Sequence, residues 1–126
     1  MQAETLLLRQ VHPSFVQEGR FSSQAFVPTK KDDGKLSVYH GGKIQPAQSW
    51  KHYTAELGMT SAGVIAVTVA ECAAEQLPSE HDATPYPEHC FIDFRNPSLS
   101  KSAIKKKAGN LATHARRRGW LFQATT

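Results

Sequence analysis

Residues 62–69 read Ala-Gly-Val-Ile-Ala-Val-Thr-Val, with one polar side chain among eight and five that are β-branched. Such a run favours extended backbone, and without polar alternation it suits a strand covered on both faces or set where sheet meets helix. It is far too short to cross a bilayer as a helix. The chain must therefore supply a sheet around this segment and layers to cover it. At 126 residues it is long enough to bury a substantial core, which predicts one domain over residues 1–126.

The flanking sequence supplies the other elements. Residues 5–11 form an apolar run ended by His12-Pro13-Ser14, a first strand. Residues 21–28 read as a second strand with imperfect alternation. The polar turn Thr29-Lys30-Lys31-Asp32-Asp33-Gly34-Lys35 then joins it, as a hairpin, to a third at 36–39. Pro46 opens a helix closed by Gly58, with Trp50, Tyr53 and Leu57 as its packing stripe. Residues 71–76 add a helical turn, and the proline-rich stretch from 79 to 88 reads as a surface loop. A strand follows at 90–94. Ser98 or Ser100 then caps a long helix that ends at Gly119, before a last edge strand at 120–123. The order β-β-β-α-β-β-α-β predicts an α+β fold. Its sheet is antiparallel or mixed, with about five or six strands and two helices packed on one face.

The long helix concentrates the charge. Lys101–Arg118 contains seven Lys or Arg and no acidic residue, while the rest of the chain has 8 basic and 11 acidic groups, so the formal net charge of +4 comes from this element. Ile104, Ala108, Leu111 and Ala115 make a narrow apolar seam for docking on a sheet, and the cations lie around the remaining circumference. The candidate anion-binding residues are Lys101, Lys105, Lys106, Lys107, Arg116, Arg117 and Arg118. Two plainer roles compete with partner binding. One is a solvated face whose last-turn arginines favour the helix dipole; the other is balance of residues 52–94, which hold seven acidic residues and no Lys or Arg.

Motifs for other chemistry are sparse. Cys72 and Cys90 have neither disulfide-framework nor metal-ligand spacing. His81-Asp82 and Glu88-His89-Cys90 offer suitable zinc ligands, but in no recognised pattern, and adjacent strand residues His89 and Cys90 point to opposite faces. The same alternation counts against a Cys-His nucleophilic pair. No P-loop or dinucleotide fingerprint is present, so no cofactor and no metal are expected. The polar residues from Ser22 to Lys35 are good turn chemistry, which outweighs the competing reading of a grip on a ligand. Arg9, His12, Ser22-Ser23 and Glu71 follow the residue types and order of ADP-ribosyltransferase sites. No diagnostic local motif accompanies them, and no resemblance is drawn.

Taken together, these features predict a small non-enzymatic binding protein whose basic helix engages an anionic partner. Nucleic acid is the first choice; the second is an acidic protein surface, as an antitoxin, inhibitor or immunity protein would mask. Without a signal-peptide pattern or disulfide framework, a cytoplasmic location with no membrane partner is expected. The alternative is a small enzyme with a His and acidic site between Ser79 and Cys90, or an ADP-ribosyltransferase-like site between Arg9 and Ser23. The two separate on one criterion: an enzyme should present a concavity where several of those polar groups converge.

Overall fold

The computed structural model describes residues 1–124. Eight strands lie among these residues: β1 Leu6–Val11, β2 Val16–Gln17, β3 Arg20–Phe21, β4 Lys35–His40, β5 Gly63–Thr68, β6 Ser79–His81, β7 His89–Asp93 and β8 Phe122–Gln123. Six of them form one sheet in the order β6-β7-β4-β1-β5-β8, with every neighbouring pair antiparallel. β2 and β3 pair separately as a short ribbon. The α+β class and the six-stranded antiparallel sheet are as expected, and β5 is covered on both faces.

Three α-helices lie among the described residues: α1 Pro46–Lys51, α2 Val69–Ala74 and α3 Lys101–Arg118. α1 begins at Pro46 and continues as a π-helical turn through Glu56, where the Leu57 amide bonds to the His52 carbonyl at 3.0 Å. Thr68 caps α2 by accepting the Glu71 amide, and Ser100 caps α3 by accepting the Ala103 amide. Gly119 follows α3 with φ 83°, a conformation strained for any residue with a Cβ.

The helices do not share one face of the sheet. Adjacent β1 residues Leu7 and Leu8 point to opposite sides. Leu7 packs with Val11, Leu36, Ile65 and Val67 beneath α3, whereas Leu8 packs with Tyr39, Val64 and Ala66 beneath Trp50 of α1. The reason lies in β5. Its lack of a polar face requires a cover on each side, and α3 with its small seam covers only one. Leu57 also leaves the expected stripe and is 42% exposed, because the wider π turn rotates it away from Trp50 and Tyr53.

Two further expectations are corrected. Residues 21–28 are not a strand of the sheet: Ser22 Oγ accepts the Gln24 amide and turns the chain into a 3-10 helix, Ser23–Phe26. This turn sinks Ala25 and Phe26 completely beneath α3. β4 consequently pairs with β1 and β7, not with the segment preceding it. The proline-rich stretch also begins with ordered structure, because β6 forms an edge strand against β7. Among the described residues, no helix is long and apolar enough to cross a membrane.

Candidate functional site

The seven cations of α3 fall into two groups. Arg118 is committed to the fold: it donates to the Ala66 carbonyl at 2.8 Å and makes a two-pronged pair with the Glu71 carboxylate at 3.1 and 3.0 Å. His114 approaches the same carboxylate at 3.3 Å. Burial pushes Glu71 up, but the Arg118 hydrogen bonds, the Thr68 amide and the nearby charges outweigh it and hold the carboxyl below the usual glutamate range. Lys107 donates to the Glu75 carbonyl. Arg116 reaches the Phe21 carbonyl at 3.3 Å and lies over the Phe21 ring. Lys101, Lys105, Lys106 and Arg117 are exposed and form no ion pair among the described residues. At 100° per residue these four lie within one arc of about 160° on the side away from Leu111 and Ala115. The acidic middle segment thus balances Arg118 through the Glu71 carboxylate, the Glu75 and Phe21 carbonyls hold Lys107 and Arg116, and the other four cations face solvent.

The other feature is a cleft of about 610 Å³ at the seam between β1 and β4. β1 pairs with β5 over six residues but with β4 only at Leu7↔His40 and Leu8↔Tyr39. Beyond Leu8 the two strands part. Arg9 fills the gap, its Nε donating to the Ala25 carbonyl at 2.8 Å and its Nη1 to the Ser37 carbonyl at 2.9 Å. It forms no ion pair among the described residues. Burial lowers its pKa, with Asp32 the main opposing charge, yet a guanidinium remains protonated. The Asp32 carboxylate is itself occupied, accepting from the Thr29 amide at 2.7 Å and the Thr29 hydroxyl at 3.0 Å. The cation on the cleft wall therefore has carbonyl partners and no ion pair among the described residues, and the Asp32 charge acts on it from beyond ion-pair distance.

Aromatic side chains form the opposite wall. Tyr86 stacks on Tyr39 with ring centres 5.2 Å apart and meets the edges of His52 and His89 at 4.6 and 5.3 Å. The Tyr39 hydroxyl lies 2.8 Å from His52 Nδ1. Burial first, then Tyr86 and Tyr53, raise the Tyr39 pKa and keep the phenol protonated. A buried network fixes α1 as a rim: Gln10 donates to Ser49 Oγ at 3.0 Å and accepts from Ser61 Oγ at 2.8 Å. Such networks are rigid when every group is satisfied. His12 lies at the cleft and accepts the Ser14 amide on Nδ1, which leaves Nε2 to carry the proton of the neutral ring.

At one end of the cleft, Ser37 Oγ is 3.2 Å from His89 Nε2, and His89 Nδ1 is 3.0 Å from the Asp82 carbonyl. A carbonyl only accepts, so Nδ1 bears the proton and the Nε2 lone pair faces the serine. Sequence reasoning singled out His89 but missed Ser37, along with Gln10, His52 and Tyr86. Ser37 looks like the ordinary polar position between buried Leu36 and Val38 in a half-buried strand, and only the β4–β7 register brings it near His89.

The remaining candidates do not assemble. His89 lines the cleft while Cys90 lies in the core on the other face. Burial pushes the Cys72 thiol up to about 12 and the Cys90 thiol up to about 11, so neither supplies a ready thiolate. His81 Nε2 is engaged with the Pro87 carbonyl, and no three His, Cys, Asp or Glu form a metal-sized cluster among the described residues. Arg9 and His12 share the cleft, but Ser22 caps a turn and Glu71 is held by Arg118 and His114, so the types noted for an ADP-ribosyltransferase site do not converge. Comparison with family models, curated proteins and solved structures finds no match.

Proposed function

We propose that the chain acts through its cleft at the β1–β4 seam, which takes a small organic anion with a planar or apolar body. The observation that carries this reading is Arg9, a half-buried cation held by two carbonyls and in no ion pair among the described residues, in a concavity where the two separate sequence regions converge. Buried charges are normally paired, so a cation left without an anion at a cleft wall favours a ligand that brings one. Tyr39, Tyr86, Phe15, Leu57 and Met59 supply apolar lining for the rest of the ligand. The test is calorimetric titration with 2-naphthoate and 2-naphthyl phosphate against the neutral 2-naphthalenemethanol. The anions should bind at least about tenfold more tightly, a difference of roughly 1.4 kcal/mol. Arg9→Gln, which retains a donor for the carbonyls, should abolish that preference while a cooperative melt persists. Equal binding of neutral and anionic ligands, or a preference unchanged in the variant, would remove Arg9 from the reading.

A second reading is favoured by the four unpaired cations on the solvent arc of α3: a phosphate-tracking surface for nucleic acid. Each phosphate neutralised releases condensed counterions, so affinity should fall steeply with salt and show little sequence preference. Replacing Lys101, Lys105, Lys106 and Arg117 by Gln should leave the melt nearly unchanged, because exposed charges contribute little to stability. Arg116 and Arg118 are left in place because they hold the fold. The slope of log affinity against log salt should shrink by roughly one per lost contact. Absence of binding to DNA and RNA fragments at low salt would end this reading. Loss of a captured acidic protein in the same variant would replace it with a masking role.

A further inference from the structure

The proposed cleft contains a group of atoms with a more specific chemical meaning. Ser37 Oγ, His89 and the Asp82 carbonyl stand in the order nucleophile, base and orienting acceptor, the relation by which a serine hydroxyl is activated. Two details go beyond a chance cross-strand contact. The Asp82 carbonyl fixes the tautomer that leaves His89 Nε2 free to take the serine proton, and the Tyr86 ring packs edge-on against the imidazole. Ser37 is exposed at the cleft, and Arg9 donates to its backbone carbonyl, so the cation proposed to take the ligand's anionic group stands on the same residue as the hydroxyl.

We propose that Ser37 is an acyl-accepting nucleophile with His89 as its base, and that the cleft hydrolyses carboxylic esters whose acyl half carries an anionic group. This rests on the cleft being the ligand site. In the first step the Ser37 O–H proton passes to His89 Nε2 as Oγ bonds to the ester carbonyl carbon. The tetrahedral intermediate collapses, the bond to the leaving oxygen breaks, and the imidazolium protonates that oxygen, releasing the alcohol and leaving an acyl ester on Ser37. Water then gives a proton to His89 as it attacks the acyl carbon. Collapse returns the proton to Ser37 Oγ and releases the carboxylic acid. No oxidant, metal or further co-reactant is required. Asp82 acts only as a positioning group, through its backbone carbonyl.

The experiment uses an alkyl fluorophosphonate, which is attacked by activated serine hydroxyls, with peptide mapping by mass spectrometry. One adduct is expected, on Ser37. It should vanish in Ser37→Ala and form at least about tenfold more slowly in His89→Asn, with both variants checked by their melts. In the wild type the labelling rate should rise with pH to a plateau, as required of a base that must be unprotonated, and this rise should be absent in His89→Asn. Hydrolysis of the p-nitrophenyl monoester of succinic acid should exceed that of p-nitrophenyl acetate, and Arg9→Gln should erase the difference. No adduct on Ser37, or labelling equally fast in both His89 forms, overturns the proposal. Naphthoate binding that survives such a result would leave the cleft as a ligand site, which keeps the two failures distinguishable.

Discussion

Val67 shows what one buried position in β5 contributes. Its side chain is fully buried among Leu7, Val11 and the α3 seam. A carboxylate there would meet no donor, and an unpaired buried charge costs several kcal/mol out of a typical total of ~5–15. Val67→Asp should therefore unfold or aggregate the protein, with no cooperative melt near the wild-type temperature in circular dichroism. That position was legible because the signal is local: a run of β-branched residues with no polar neighbour requires burial whatever surrounds it. Arg9 was less legible. Its residue type was noticed, but its place at the seam without an ion pair among the described residues depends on where β1 leaves β4 and on Thr29 holding the Asp32 carboxylate.

At the scale of elements, α3 is held at its C-terminal end by Arg118, which joins helix, β5 carbonyl and α2 through one guanidinium. The folded state keeps Glu71 ionised to lower pH than the unfolded chain does. The unfolded state therefore binds more protons, and this contribution, present at neutral pH, is lost as pH falls through the folded-state value. Glu71→Gln should lower stability at pH 7 by roughly 1.5–3 kcal/mol, the range for hydrogen bonds to charged groups. Its further loss as pH falls below the ordinary glutamate range should be shallower than that of the wild type, as measured by urea melts at successively lower pH. The boundaries of α3 were readable from Ser100, the small-residue seam and Gly119. Which arginine faces inward was not, because all three in the last turn look alike until the helix is docked.

For the molecule as a whole, periodicity identified the layers but not their arrangement. Helices on opposite faces follow from β5 needing two covers, a requirement already present in residues 62–69. Ser37 and His89 stand 52 residues apart and meet only through the β4–β7 pairing, which no local pattern specifies. The short β1–β4 contact has a mechanical meaning as well. Three strands, β6, β7 and β4, form one plate, and β1, β5 and β8 form another. Apart from the core they share, two residue pairs, the Gly41 amide on the Leu6 carbonyl and one arginine side chain couple them at the seam. Such a joint flexes more readily than a full ladder, and a guest lodged between the plates would act as a splint. Hydrogen exchange should show amides of β1 and β4 near the seam slowing on addition of 2-naphthoate, while β5 amides, protected on both sides, stay unchanged. In Arg9→Gln the same amides should exchange faster even without a guest, as though a rivet had been drawn from the joint.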